Sequence, residues 1–148
     1  MANDCVTDVK FLRVRESAVL PTYATAGAVG MDLYAAITKS VWIEPFRICK
    51  VPIGWKVEIP EGYEGQIRAR SGLAAKYGIS VINGPGTIDS DFRGELWVIL
   101  TGLDHYEIKP HDRIAQLVIA PVSRLPVREV LTLSNTERGE GGFGSTGV

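Results

Sequence analysis

Two cysteines, two histidines and a formal net charge of −1 in 148 residues are sparse resources, and each scarcity closes off a class of protein. Cys5 and Cys49 lie far apart and outline no disulfide framework. They read as free thiols of a reducing compartment, so a cytoplasmic location is expected, with a nuclear or viral-host one left open. His105 and His111 do not cluster with the cysteines, which argues against zinc. Near-neutrality argues against a general nucleic-acid binder, whose surface would carry a basic stripe. No apolar run approaches the ~18 residues of a membrane span, so no membrane partner is expected. The opening Met1-Ala2-Asn3-Asp4-Cys5 has neither a basic start nor an apolar stretch, and no secretory signal is expected there.

What the chain does have is apolar residues, 45% of the total, broken by 16 glycines and 8 prolines. That length buries a core within one domain without staples. Val9–Val14, Val41–Ile43, Phe46–Val51, Gly54–Ile59, Gly65–Arg70, Glu95–Leu100, Tyr106–Ile108, Arg113–Val122 and Val127–Leu133 read as strands. Pro52 separates two of them, and turns are expected at Pro60-Glu61-Gly62, Gly102–His105 and Lys109–Asp112. Ser71–Gly78 is the one convincing helical turn, with Ser71 as N-cap and Gly78 as its stop. The spacing predicts an all-β sandwich or barrel.

Five places carry side chains that a plain β fold does not require. Asn83–Leu100 opens with Gly84-Pro85-Gly86, then crowds Asp89, Asp91, Phe92 and Arg93 together before a buried strand. Asp89 either caps a turn, with Arg93 pairing one of the two acids, or sits at the core edge as a base that orients water. Arg70-Ser71-Gly72 is either a simply capped helix start or a phosphate site of guanidinium, hydroxyl and free N–H groups. Asp32 interrupts the apolar run Ala28–Ala36, as an edge charge or as an acid facing a ligand or metal. Gln116 interrupts Arg113–Val122, bonded to backbone or facing a ligand. The tail from Ser134 is too rich in glycine to pack a core. It is either a disordered terminus or an arm that folds over an anion with Arg138 and stacks Phe143 on a flat ring.

Five segments in order, Ala28–Ala36, Arg70–Gly78, Asn83–Gly94, Arg113–Val122 and Arg138–Gly147, resemble the five motifs of the trimeric deoxyuridine triphosphate nucleotidohydrolase (dUTPase) family. The resemblance implies a jelly-roll-like β-barrel over residues 1–133 with one short helix, and a flexible C-terminal arm over 134–148. It implies a homotrimer whose sites draw on all three chains. The implied reaction is hydrolysis of dUTP to dUMP and pyrophosphate, which limits uracil in DNA and supplies dUMP for thymidylate synthesis. Asp89 matches the catalytic acid that orients water toward the α-phosphorus. Arg70, Ser71, Gly72, Gln116, Arg138, Ser145 and Thr146 match phosphate contacts. Asn83, Gly86, Thr87, Ile88, Phe92, Phe143 and Gly144 match the groups around uracil and deoxyribose. Mg²⁺ is the implied cofactor, with Asp32 reaching it through water.

Phe92 stands where the family more often has tyrosine, His111 where it has glycine, and Gly102 where it has asparagine. The Asn83-Gly84-Pro85-Gly86 hairpin is a variant found in part of the family. Two other readings share the barrel: a dCTP deaminase-type enzyme and a non-catalytic nucleotide-binding module. The first needs a glutamate base where Ile99 stands, and an aliphatic side chain shuttles no protons. The second is disfavoured because Asp32, Asp89 and the phosphate-binding set are all present.

Overall fold

The computed structural model describes residues 8–147; Cys5, the rest of the opening segment and Val148 lie outside them. In chain order the elements are β1 (Lys10–Arg13), β2 (Thr22–Tyr23), β3 (Gly30–Tyr34), β4 (Val41–Ile43), β5 (Cys49–Glu58), β6 (Tyr63–Arg68), α1 (Ser71–Tyr77), β7 (Ser80–Val81), β8 (Gly86–Ile88), β9 (Glu95–Thr101), β10 (Tyr106–Ile108) and β11 (Arg113–Pro121). They form a four-stranded sheet in the order β1-β5-β9-β7, a five-stranded sheet in the order β2-β3-β11-β6-β8, and a β10-β4 pair. Every pairing between these strands is antiparallel, and most neighbours are distant in sequence, which gives the jelly-roll-like all-β fold. No helix among the described residues is long and apolar enough to cross a membrane.

Period-two alternation decides which side chains go inside. Leu96, Val98 and Leu100 of β9 are buried while Trp97 between them is 41% exposed. Met31 and Leu33 of β3 join them in the core, and Leu117 enters it from β11. Burying each such side chain contributes about 1.5–3 kcal/mol. On β3 the same alternation turns Asp32 outward, onto the face that matters below.

Four expectations are corrected. Pro52 does not end a strand: β5 runs through it, and the ladder to β9 shifts register between Pro52 and Lys56. Such a bulge accommodates a residue with no N–H. Gly54 sits in it at φ +76, where an added Cβ would meet the Ala18 methyl at 2.6 Å, so both conformation and space require glycine. Phe46 lies not in a strand but at the third position of the turn Glu44-Pro45-Phe46-Arg47, at φ +58, with the Arg47 N–H donating to the Glu44 carbonyl at 3.1 Å.

The helix begins one residue earlier than its composition implies. Arg70 is the N-cap, in extended conformation, and its carbonyl accepts from the Ala74 N–H at 3.0 Å. Ser71 is the first helical residue, which leaves its hydroxyl exposed rather than used as a cap. Gly78 ends the helix at φ +64, as expected. Val127–Leu133 forms no strand: it pairs with no strand among the described residues, and Val127 and Leu131 are fully exposed.

Candidate functional site

The outer face of the five-stranded sheet carries a transverse polar row. Thr22 opposes Asp32, Asp32 opposes Gln116, and Gln116 opposes Arg68, so four residues far apart in sequence line up across β2, β3, β11 and β6. Neighbouring strands lie about 4.8 Å apart. Above this row opens a cavity of about 350 Å³ bordered by Gly30, Asp32, Arg70, Ser71, Gly72 and Gln116, with Arg68 and Arg113 also at its wall. Asp32, Arg70, Ser71, Gly72 and Gln116, singled out from the sequence, thus come together.

Asp32 is the centre of charge here. Its side chain is only 13% exposed, and it faces the Arg70 guanidinium at 3.5 Å and that of Arg113 at 3.3 Å. Arg70 is fixed further by donating to the Arg113 carbonyl at 3.0 Å. Gln116 does both things open to it: its amide N–H donates to the Ala69 carbonyl at 3.2 Å while the side chain lines the cavity. Gly30 makes room for it, since a Cβ there would come within 2.6 Å of Gln116 Oε1. Arg113 is the residue that strand periodicity conceals. Positions 113 and 116 fall on opposite faces of a regular strand, but β11 carries an extra residue between Arg113 and Ala115. Both Ile114 and Ala115 therefore point inward, and Arg113 returns to the face of Asp32.

The helix that carries Ser71 and Gly72 has no fully buried residue. It is held by Leu73, half-buried against the core, and by its far end. Tyr77 packs on Tyr106 of β10 with ring centroids 4.8 Å apart and planes tilted by 49°, and Leu103 closes on Gly78 so tightly that a Cβ there would meet it at 2.7 Å. Burial pushes the Tyr106 hydroxyl above its ordinary pKa, with Asp112 and Tyr77 adding to the shift and Arg70 opposing it.

The hairpin residues form a second group. Asn83 folds across Gly86, where a Cβ would lie 3.2 Å from its Nδ2 and 3.3 Å from Ile67. The Gly84–Pro85 peptide is cis. Gly86, Thr87 and Ile88 pair with β6, and Asp89 follows, exposed, at the start of a turn closed by the Phe92 N–H on its carbonyl at 3.1 Å. Phe92 lies against the backbone of Gly94, where a Cβ would meet ring atom Cζ at 2.5 Å. Arg93 pairs with neither Asp89 nor Asp91; it donates to the carbonyls of Ser90 and Phe92 at 2.7 and 2.9 Å. Asp89 does not line the cavity.

The arm is a third group. Arg138 donates to the Gly141 carbonyl at 2.8 Å, and the Ser145 N–H donates to the Gly142 carbonyl at 3.0 Å. Phe143, Gly144, Ser145 and Thr146 are all exposed. Neither Arg138 nor these four line the cavity. A larger groove of about 640 Å³ lies beside Asp91 and Arg93, but its charges are mixed, with Lys10 and Glu58 paired at 2.7 Å. The smaller cavity has one dominant sign, with the guanidiniums of Arg68, Arg70 and Arg113 at its wall and Asp32 as its single carboxylate.

Among the described residues no three His, Cys, Asp or Glu side chains cluster as a metal cage. A single recessed carboxylate amid arginines fits an ion held mostly by phosphate oxygens and water, which is how Mg²⁺ binds.

The dUTPase family model matches residues 16–147. The deoxyuridine 5'-triphosphate nucleotidohydrolase of Anaplasma marginale is 52% identical over 144 residues, covering 95% of this chain and 98% of that protein. The protein of the same name from Hydrogenobaculum sp. is 54% identical over 138 residues, covering 92% and 95%. Among solved structures, the Staphylococcus bacteriophage 80alpha dUTPase with dUPNHPP superposes with a TM-score of 0.85 at 29% identity, over 95% of this chain and 99% of that one. A phage phi11 dUTPase mutant, which coordinates a structural Mg(II) ion, shares the fold at TM-score 0.78 and 23% identity, over 84% and 97%.

Proposed function

The chain belongs to the dUTPase family, and on that premise we propose that its cavity and its Asp89 turn are two halves of one nucleotide site, completed between copies of a homotrimer. The enzyme hydrolyses dUTP to dUMP and pyrophosphate. The observation that carries the shared site is the separation of parts. One chain gathers Asp32, Arg70, Ser71, Gly72 and Gln116 around a cavity, while Asp89 and the arm stand outside it.

Asp89 accepts a hydrogen bond from water and turns its oxygen toward the α-phosphorus. As that oxygen bonds, the bond from the α-phosphorus to the bridging oxygen breaks, pyrophosphate leaves and the water's proton passes to the carboxylate. Orientation supplies most of the acceleration, so the base need not be strong. Arg70, the Ser71 hydroxyl, the Gly72 N–H and Gln116 hold the phosphate chain and offset its charge. Asp32 would hold the water shell of Mg²⁺, which when bound supplies charge neutralisation at the phosphate oxygens.

Asn83 and the backbone from Gly86 to Ile88 read the uracil edge, and the tight hairpin leaves no space for a 5-methyl group. Phe92, close against Gly94, supports the deoxyribose and excludes a 2'-hydroxyl. The arm over 134–148 closes the site, with Phe143 and Gly144 over the base and Arg138, Ser145 and Thr146 on the phosphates. A cytoplasmic location fits the free thiol of Cys49.

Turnover of dUTP, dCTP, dTTP and UTP with Mg²⁺ tests the chemistry: pyrophosphate is released from dUTP alone, and ammonia from dCTP would overturn it. Sharing is tested by mixing two inactive variants, Asp89→Asn and Arg70→Ala. Mixed trimers contain some sites with both halves intact, so activity returns; a mixture that stays inactive places both halves in one chain.

A further inference from the structure

We propose that Arg68 is a further contact for the phosphate chain, resting on the reading of this cavity as the triphosphate site. Arg68 ends the polar row on β6, in register with Gln116. It lines the same cavity as Arg70 and Arg113. The difference between the three arginines is what each one faces. Arg70 and Arg113 both face Asp32, so in the free protein their charge is shared with a carboxylate. Arg68 has no carboxylate within ion-pair distance among the described residues; its guanidinium donates through Nε and Nη2 to one neutral acceptor, Gln66 Oε1, at 3.1 and 2.6 Å.

That acceptor is itself oriented. The Gln66 amide N–H donates to Glu64 Oε1 at 2.6 Å, which turns the amide oxygen of Gln66 toward Arg68. Glu64, Gln66 and Arg68 alternate along the outer face of β6, so each side chain braces the next. A guanidinium has five donors, and two are used here. The remaining edge is available at a cavity wall where positive charge already exceeds negative. A fixed, uncompensated guanidinium beside two arginines is electrostatically unfavourable when the cavity is empty. It becomes favourable when a polyanion enters, so its contribution is realised only in the complex. Arg70 is shielded by Asp32 in the free protein, whereas Arg68 is not.

The test uses the full-length enzyme with Mg²⁺ and two probes: dUTP, and inorganic triphosphate as a competitive inhibitor lacking base and sugar. Arg68→Gln raises the KM for dUTP and the Ki for triphosphate together, by about tenfold each, as for loss of one charge-assisted contact at a partly exposed site. Arg68→Lys, which keeps the charge and loses the fork, falls between. Added salt narrows the gap between wild type and Arg68→Gln. Unchanged KM and Ki overturn the assignment. So does a loss that tracks a change in oligomer size on a sizing column, since the residue then serves an interface. If wild type released no pyrophosphate from dUTP yet bound triphosphate through Arg68, the reaction assigned above would fail while the anion contact stood.

Discussion

Arg113 lies 3.3 Å from Asp32 because β11 spends one residue more than β3 in the stretch that separates them from the regular ladder. The bulge puts a cation beside an acid that the alternation of side chains would have left to Arg70 alone. It also lets Arg70 donate to the Arg113 carbonyl, so the two arginines and the acid form one unit. The cavity is therefore pre-arranged for charge, and its acid is recessed rather than offered to solvent.

Asp32→Ala leaves both guanidiniums without their shared carboxylate and removes the group assigned to the metal's waters. The expected outcome is a rise of about tenfold in the Mg²⁺ concentration for half-maximal rate, the scale typical of losing an outer partner of a metal. The measurement is a Mg²⁺ titration of initial rate at saturating dUTP. An unchanged requirement would leave Asp32 as a partner of the arginines only.

Asp89→Asn keeps the size and the turn but not the ability to take a proton. Catalysis is expected to fall about a hundred- to ten-thousandfold. Binding of a non-hydrolysable dUTP analogue, followed by calorimetry, should stay within a few-fold of wild type, because no fold contact depends on this exposed side chain. Binding and rate falling together would make Asp89 a structural residue.

Much of this site was legible because period-two alternation is a local property. Asp32 and Gln116 each break an apolar run, and a polar residue in that position must face outward or find a partner. Their adjacency is a matter of register between β3 and β11, which no single segment encodes. Arg113 was hidden for a different reason: a bulge resets the parity on which the reading depends. Pro52 misled in the same way, since a bulge is what lets β5 continue through it. Val127–Leu133 has strand composition, yet Val127, Leu131 and Leu133 are 101%, 103% and 86% exposed. Composition records a liking for apolar surroundings; it does not say which chain provides them.

The Tyr77–Tyr106 contact predicts an effect at a distance. With no fully buried residue of its own, α1 relies on this contact and on Leu103, together with the half-buried Leu73, to hold Ser71 and Gly72 at the cavity. Tyr106→Ala should lower stability by about 1 kcal/mol through the lost aromatic pair. It should also raise the KM for dUTP more than it lowers kcat, and Tyr106→Phe should restore both. A loss of stability without a change in KM would show that the helix is positioned by other contacts.

Two turns share one design. Glu44-Pro45-Phe46-Arg47 and Lys109-Pro110-His111-Asp112 each place proline second and a non-glycine residue at positive φ third, +58 for Phe46 and +66 for His111. In both, the fourth N–H donates to the first carbonyl at 3.1 Å. The left-handed region costs an L-residue about 1 kcal/mol. The His111 N–H also donates to the Ala35 carbonyl at 3.0 Å, tying the turn to the end of β3. His111→Gly is expected to leave stability unchanged or raise it by up to about 1 kcal/mol, whereas His111→Val should lower it, because a β-branched side chain tolerates this conformation least. Thermal unfolding monitored by circular dichroism separates the two. A marked loss in His111→Gly would mean that the imidazole itself stabilises the turn.

The arm offers the sharpest separation of fold from function. From Ser134 onward every described residue is exposed except Gly141 and Gly142, which are half-buried, and the hydrogen bonds found there run within the arm itself. Ending the chain after Ser134 therefore removes no core packing. Its unfolding temperature should stay within a degree or two of the full chain, since surface changes away from packed features are usually worth less than about 0.5 kcal/mol. The oligomer should also keep its size on a sizing column. Turnover of dUTP should collapse, because the proposed site takes Arg138 for the phosphates and Phe143 for the base from the arm. Phe143→Ala should reproduce part of that loss as a higher KM, because one stacking face goes while the arginine remains. If the shortened chain instead falls apart into monomers, the arm's first duty is assembly, and the exposed Phe143 then marks an interface rather than a lid.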